Sequence, residues 1–140
     1  MNDWEDDNYC IACGKKNPIG MKLKFREEGE GISCGYMFPK EFQGYKNHVH
    51  GGMIALLLDE IMVNLPIRKD GILAVSFDLK IRLKKPLLIG EPVTAKAFYL
   101  KKKSKTFVIK GELYRNSDNV LIAESEALCM KVDEEIKKKL

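Results

Sequence analysis

HVHGGMIALLLDE, residues 48–60, contains both histidines of the chain, a glycine pair, and an apolar run broken by one acidic dipeptide. From Gly51 nothing interrupts a helix until Pro66, and Leu, Ala and Met favour one, so the spacing predicts a helix of about fifteen residues, roughly 22 Å long, ending near Pro66. Ile54, Leu57, Leu58, Ile61 and Leu65 form one apolar stripe, and Met53, Leu56, Met62 and Val63 carry hydrophobicity round the other side. A helix apolar on more than one face is buried.

Asp59 stands out on such a helix. Its neighbours three and four positions away are Ala55, Leu56, Met62 and Val63, and none can pair with a carboxylate. Glu60 has Leu56, Leu57, Val63 and Asn64. A carboxylate so placed either reaches water at the helix edge or is held by partners from elsewhere, the arrangement that acid and base chemistry uses. At the other end of the helix, Gly51 and Gly52 let a ligand approach the backbone, and the first amides lack intrahelical acceptors. That makes either an oxyanion site or an ordinary tight turn into a helix.

Outward from this stretch, residues 21–26 (MKLKFR) alternate and residues 27–31 supply a turn, so a hairpin with residues 32–38 is expected. Residues 39–47 form a polar and aromatic loop leading to the helix. After the helix, residues 73–83 place Leu73, Val75, Phe77, Leu79, Ile81 and Leu83 on one strand face, with Ala74, Ser76, Asp78, Lys80 and Arg82 on the other. Strands over 93–100, 106–115 and 120–132 follow, separated by a basic loop at 101–105 and a turn at 116–119. Six antiparallel strands with one helix after the second make an α+β fold in the order ββαββββ. The 140 residues suit one domain, read as an irregular arm (1–18), a folded domain (19–133) and a charged tail (134–140).

The net charge of +4, with an acidic start (Asp3, Glu5, Asp6, Asp7) and a lysine-rich end, suits an anionic ligand and not a dedicated nucleic-acid binder. No leader or transmembrane run is seen, so a cytoplasmic location and no membrane partner are expected. Cys10, Cys13, Cys34 and Cys129 should be reduced there. Cys10 and Cys13 form a CxxC followed by Gly14, but a zinc site needs two further ligands, and His48 and His50 lie closer together than the spacing common in fingers. The plainer reading is a loop packed by small sulfur side chains, with no metal and no cofactor.

Three pieces resemble one family: CxxCGxxNPxG at residues 10–20, HGGMIALLLDE at 50–60, and VSFDLKIRLKKPLLIGE at 75–91. Together they make the chain similar to the hotdog-fold acyl-CoA thioesterases, PaaI-like branch, over residues 10–132. The resemblance implies a six-stranded antiparallel sheet wrapped around one long central helix. It implies Asp59 as general base or nucleophile, the Gly51 amide polarising the thioester carbonyl, and a neutral His50 ordering the turn. Ser76 would help hold the carboxylate or a water. Each site would lie between two subunits, the carboxylate from one and the HGG turn from the other, so a homodimer is expected and a homotetramer is common. Some relatives carry an asparagine six residues before the HGG histidine where this chain has Gly44, leaving Gln43 or Asn47 for that contact.

For an acyl-CoA substrate, Lys84, Lys85, Lys101, Lys102, Lys103 and Lys105 are candidates for the phosphates, or else solubilising charges at strand ends. Phe42, Tyr45, Met53 and Leu57 are candidates for the acyl pocket, and Gly52 for a further substrate contact. Two other functions remain: a non-catalytic acyl-CoA-binding module, which would not need Asp59, and a hotdog hydratase, which would pair a histidine with an acid in a different helix context.

Overall fold

The computed structural model describes residues 4–139. Residues 1–3 of the arm, Asp3 included, and Leu140 of the tail lie outside the described residues. The strands are β1 (Arg26–Glu28), β2 (Gly31–Met37), β3 (Ala74–Leu83), β4 (Pro92–Lys102), β5 (Thr106–Arg115) and β6 (Val120–Lys131), with helix α1 (Gly51–Asp70) between β2 and β3. They form one antiparallel sheet in the order β1-β2-β4-β5-β6-β3, which leaves β3 as an edge strand. The sheet curls around α1, whose Leu57, Leu58, Ile61, Met62 and Leu65 are fully buried against Ala95, Ile109, Leu113 and Ala127 of the strands. At Gly111 the two layers approach closely. A side chain there would run into Ser125 Oγ and Met62, and Ser125 Oγ donates to Met62 Sδ at 3.3 Å.

The helix does not end at Pro66. It runs 20 residues, to Asp70. Proline inside a helix costs about 3 kcal/mol because it removes one backbone hydrogen bond and crowds the preceding turn. Burial of Met62, Leu65 and Pro66 offsets that cost, and the true stop is Gly71, in the left-handed conformation (φ 65°) with its N–H on the Ile67 carbonyl.

The first strand is also shorter than its alternation suggests. Residues 21–25 do not pair with β2; Lys22 has φ 55°, and the N–H groups of Met21 and Leu23 donate to Ile11 and Ala12 of the arm at 2.9 and 3.0 Å. Met21 and Leu23 are buried nonetheless, with Ala12 beside them in the core. The arm is thus stitched by backbone bonds to the segment that leads into β1, and the charged tail carries a short helix, α2 (Glu134–Lys139), capped where Asp133 Oδ1 accepts from the Ile136 N–H at 2.9 Å.

In β3 the alternation is interrupted. Ser76 lies opposite Cys129 and Asp78 opposite Leu128, so Phe77 is an extra, bulged residue. Opposed residues share a sheet face. Before the bulge Ser76 therefore shares the helix side with buried Cys129. After it Leu79, Ile81 and Leu83 do so, opposite Ala127, Ser125 and Ala123. The alternation that puts Ser76 on the face opposite Leu79, Ile81 and Leu83 is broken by this one inserted residue, and all four lie on the helix side. Phe77, Leu79 and Leu83 remain 50, 39 and 54% exposed, because no further strand continues the sheet beyond β3.

The far end of α1 is tied by Asp70, which accepts from Lys102 Nζ at 2.8 Å and from the Tyr99 hydroxyl at 2.7 Å. These donors, Lys102 first, hold the Asp70 carboxyl below its ordinary value. Because the folded value is depressed, the stabilisation is complete above the unfolded pKa of about 4 and is lost as the pH falls through the lower folded value. Asp70→Asn is expected to cost about 1 kcal/mol at neutral pH. In urea titrations at several pH values, the gap from wild type should close as the solution is acidified below that window.

Candidate active site

The HGG turn is held by its own backbone. Gly44 N–H donates to the His48 carbonyl at 2.9 Å, Val49 N–H to Leu87 at 2.9 Å, and His50 N–H to Phe42 at 3.0 Å. His50 is the N-cap of α1: its Nδ1 accepts from the Gly52 N–H at 2.9 Å, so the ring proton sits on Nε2. The amides of Met53 and Ile54 turn back on the His50 carbonyl at 3.0 and 3.3 Å. Gly51 N–H is left without a hydrogen-bond partner among the described residues, at the positive end of a 20-residue helix. A side chain at residue 44 would lie 3.3 Å from His50 Cα and 3.4 Å from the edge of its ring, so glycine there leaves the histidine room. Gln43 Oε1 accepts the Asn47 N–H at 3.2 Å, which ties both alternatives for the missing asparagine to each other.

Asp59 lies two turns along. Its Oδ1 accepts from Ser76 Oγ at 2.8 Å, a bond made possible by the bulge that turns Ser76 toward α1. Asp59 makes no ion pair among the described residues and is partly buried. Its charge reaches Cys129, whose thiol is pushed up to about 12 by burial first and Asp59 second. Eight residues of helix separate Gly51 from Asp59, about 12 Å of axial rise. Within one chain, the free amide and the carboxylate cannot reach the same carbonyl.

Two open grooves flank Gly51. One, about 290 Å³, lies between Gly51, Ile54 and the segment Leu83, Lys84, Lys85, Pro86; the other, about 380 Å³, between Gly51, His50 and Tyr45. Lys84 and Lys85 therefore stand at the Gly51 end, Lys84 also 3.5 Å from Glu124. Lys102 is elsewhere, with Asp70 at the last residue of α1, about 28 Å along the helix from Gly51. Lys105 is beside Asp133 and Glu135 at 3.6 and 3.9 Å, and Lys101 and Lys103 are exposed on the same hairpin. Of the expected pocket residues, Phe42 and Met53 are partly buried and Tyr45 is exposed. Leu57 is fully buried in the core and has no surface to offer a ligand.

Glu60 was not singled out by its sequence neighbours, but it is the meeting point of the arm and the helix. Its Oε1 accepts from Asn64 Nδ2 at 3.0 Å and lies 3.8 Å from Cys10 Sγ. Burial, then Glu60 and Cys10, raise the Cys13 thiol above its ordinary range. The signal that could have found Glu60 is weak in sequence, because only Asn64 is close by and Cys10 lies 50 residues away.

A sheet wrapped around a buried helix, with a free amide at the helix start and a hydroxyl-held carboxylate along it, defines a hotdog fold with a candidate hydrolytic site. The profile of the thioesterase superfamily matches residues 46–122, more than half of the chain, which therefore belongs to that superfamily of thioester hydrolases. Among solved structures the chain is similar to Escherichia coli PaaI from the phenylacetic acid degradation operon, with 16% identity, a TM-score of 0.73, and 81% of each chain covered. It is similar to zebrafish thioesterase superfamily member 2, with 21% identity, a TM-score of 0.75, and 86% of this chain and 90% of that one covered. A Streptococcus mutans protein bound to acetyl-CoA has 17% identity and a TM-score of 0.72, with 79% of this chain and 88% of that one covered. At these identities the likeness is one of fold. No curated protein matches the chain. Among the described residues no helix is long and apolar enough to cross a membrane.

Proposed function

We propose that the protein hydrolyses acyl-CoA thioesters in sites shared by two copies of the chain, Asp59 from one and Gly51 from the other. The observation that carries this reading is the carboxylate itself: Asp59 sits on an apolar helix, has no cationic partner among the described residues, and is oriented by Ser76 Oγ at 2.8 Å. The axial separation of about 12 Å between Asp59 and Gly51 supports a second copy, since one chain cannot bring both to the same carbonyl. The exposed edge strand β3, with Phe77, Leu79 and Leu83 at its surface, supplies an apolar place for that copy to pair. A homodimer is the minimum assembly, and a homotetramer is compatible with it.

The chemistry follows from these parts. Asp59 takes a proton from water as the oxygen attacks the thioester carbon, or attacks it directly to form a mixed anhydride that water then cleaves. In either case the carbonyl oxygen becomes an oxyanion that accepts from Gly51 N–H, and the collapsing intermediate expels CoA as thiolate, which takes up a proton. Ser76 leaves the second carboxylate oxygen of Asp59 free for this work. Lys84 and Lys85, at the Gly51 groove, are the favoured phosphate contacts, and the binding of acetyl-CoA by the Streptococcus mutans relative supports the choice of CoA.

The test is release of CoA from short, medium, long and aryl acyl-CoAs by the purified protein. Turnover of any class supports the reading and identifies the acyl group. Binding without turnover across the panel would replace it with an acyl-CoA-binding module.

A further inference from the structure

Outside this site, the described residues hold one group of three metal-ligating side chains: Cys10 Sγ, Cys13 Sγ and a Glu60 carboxylate oxygen all lie within 4.8 Å of one another. Tetrahedral zinc with two thiolates and one carboxylate sets its donor atoms about 3.6–3.8 Å apart, and Cys10 Sγ to Glu60 Oε1 is already 3.8 Å. The loop that presents the sulfurs is shaped around them. The N–H groups of Ala12 and Cys13 point at Cys10 Sγ from 3.4 and 3.5 Å, and Gly14 N–H closes the turn on the Cys10 carbonyl at 2.9 Å. A side chain at Gly14 would run into the backbone of Asn8 and Cys10, so the turn closes only with glycine. The third donor is oriented too, since Asn64 Nδ2 holds Glu60 Oε1 at 3.0 Å, as outer partners of metal-bound carboxylates do.

The geometry points to a zinc site formed by three protein donors, Cys10, Cys13 and Glu60, with water as the fourth ligand. The donor set selects zinc over magnesium or calcium, which prefer all-oxygen sites. On binding, each thiol gives its proton to solvent, and Zn²⁺ with two thiolates and one carboxylate carries a net charge of −1. The ion would clamp the N-terminal arm to the middle of α1 at the residue following Asp59. Two cysteines alone make half a site, and a third donor comes from the helix, 47 residues after Cys13. This inference stands apart from thioester hydrolysis and survives its failure.

The reduced, chelator-stripped full chain should take up one Zn²⁺ in competition with a chromophoric chelator, and the bound ion should raise its melting temperature. Cobalt(II) in its place should show thiolate-to-metal charge-transfer absorption. Affinity should fall by about a hundredfold or more in the Cys10→Ser, Cys13→Ser double variant and by about tenfold in Glu60→Gln. Wild-type protein that binds less than one ion per chain, shows no thiolate-to-cobalt absorption, or loses nothing on Glu60→Gln overturns the proposal, and none of these readouts depends on whether the double variant folds.

Discussion

Asp59→Asn is expected to lower kcat for acyl-CoA hydrolysis by a hundredfold or more, about 3 kcal/mol of barrier, with little change in KM. Asparagine has nearly the same shape, and its side-chain oxygen can still accept the 2.8 Å hydrogen bond from Ser76, so position and packing are preserved. What is lost is the negative charge and the basicity, the two properties that a general base or nucleophile needs. The neighbours support a clean reading: the helix side chains three and four positions away are Ala55, Leu56, Met62 and Val63, and none depends on an ion pair with Asp59. Steady-state CoA release, with size-exclusion and circular dichroism to show an unchanged fold, makes the measurement. A variant that keeps more than a tenth of wild-type turnover would remove Asp59 from the chemistry.

Gly51→Pro should lower kcat by a hundredfold to a thousandfold, the loss usual for one oxyanion donor. Proline is the one substitution that deletes this N–H while suiting the local backbone. Gly51 is the first residue of α1, where proline is favoured because the amide has no intrahelical partner. His50, at φ −63° and ψ 132°, already has the extended conformation that the residue before a proline adopts. Its Cβ would meet only the tip of Leu83, at 2.7 Å, and that side chain is half-exposed and free to turn away. Gly51→Ala adds the same carbon and keeps the N–H, so it separates the two effects: alanine should cost less than about tenfold. Equal losses in both variants would place the defect in packing and not in the oxyanion contact.

Much of this architecture is legible in the sequence, and the misses have particular causes. Strand β5 begins and ends at the residues that its alternation marks, because every second residue from Phe107 to Leu113 is buried. The helix start at Gly51 was legible from the glycine pair, but its end was not, since burial around Pro66 outweighs a local penalty that sequence shows in isolation. Alternation over residues 21–26 reports burial correctly at Met21 and Leu23 without reporting their partner, which is the arm and not β2. That Ser76 shares a face with Leu79, Ile81 and Leu83 is not legible in the sequence, because a period of two carries no trace of one inserted residue, here Phe77. The α2 helix had a signal, Asp133 before two glutamates, that the charged composition of the tail obscured.

For the candidate site, the positions of the HGG turn and Asp59 were readable because both lie on one helix. The lysines were not. Lys84 and Lys85 flank Gly51, whereas Lys102 pairs with Asp70 at the opposite end of α1, and nothing in a run of positive charge says which end of a helix it will meet. Glu60 was hidden for the same reason, its sulfur neighbours arriving from the other side of the fold.

The shared site is tested most directly by a mixed dimer. Gly51→Pro and Asp59→Asn chains, co-expressed with different affinity tags and purified through both, pair an intact Asp59 on one chain with an intact Gly51 on the other. If each site draws on both copies, one of the two sites in every mixed dimer is whole, and CoA release should return to about half the wild-type rate. A mixed dimer as inactive as its two parents would contradict the account.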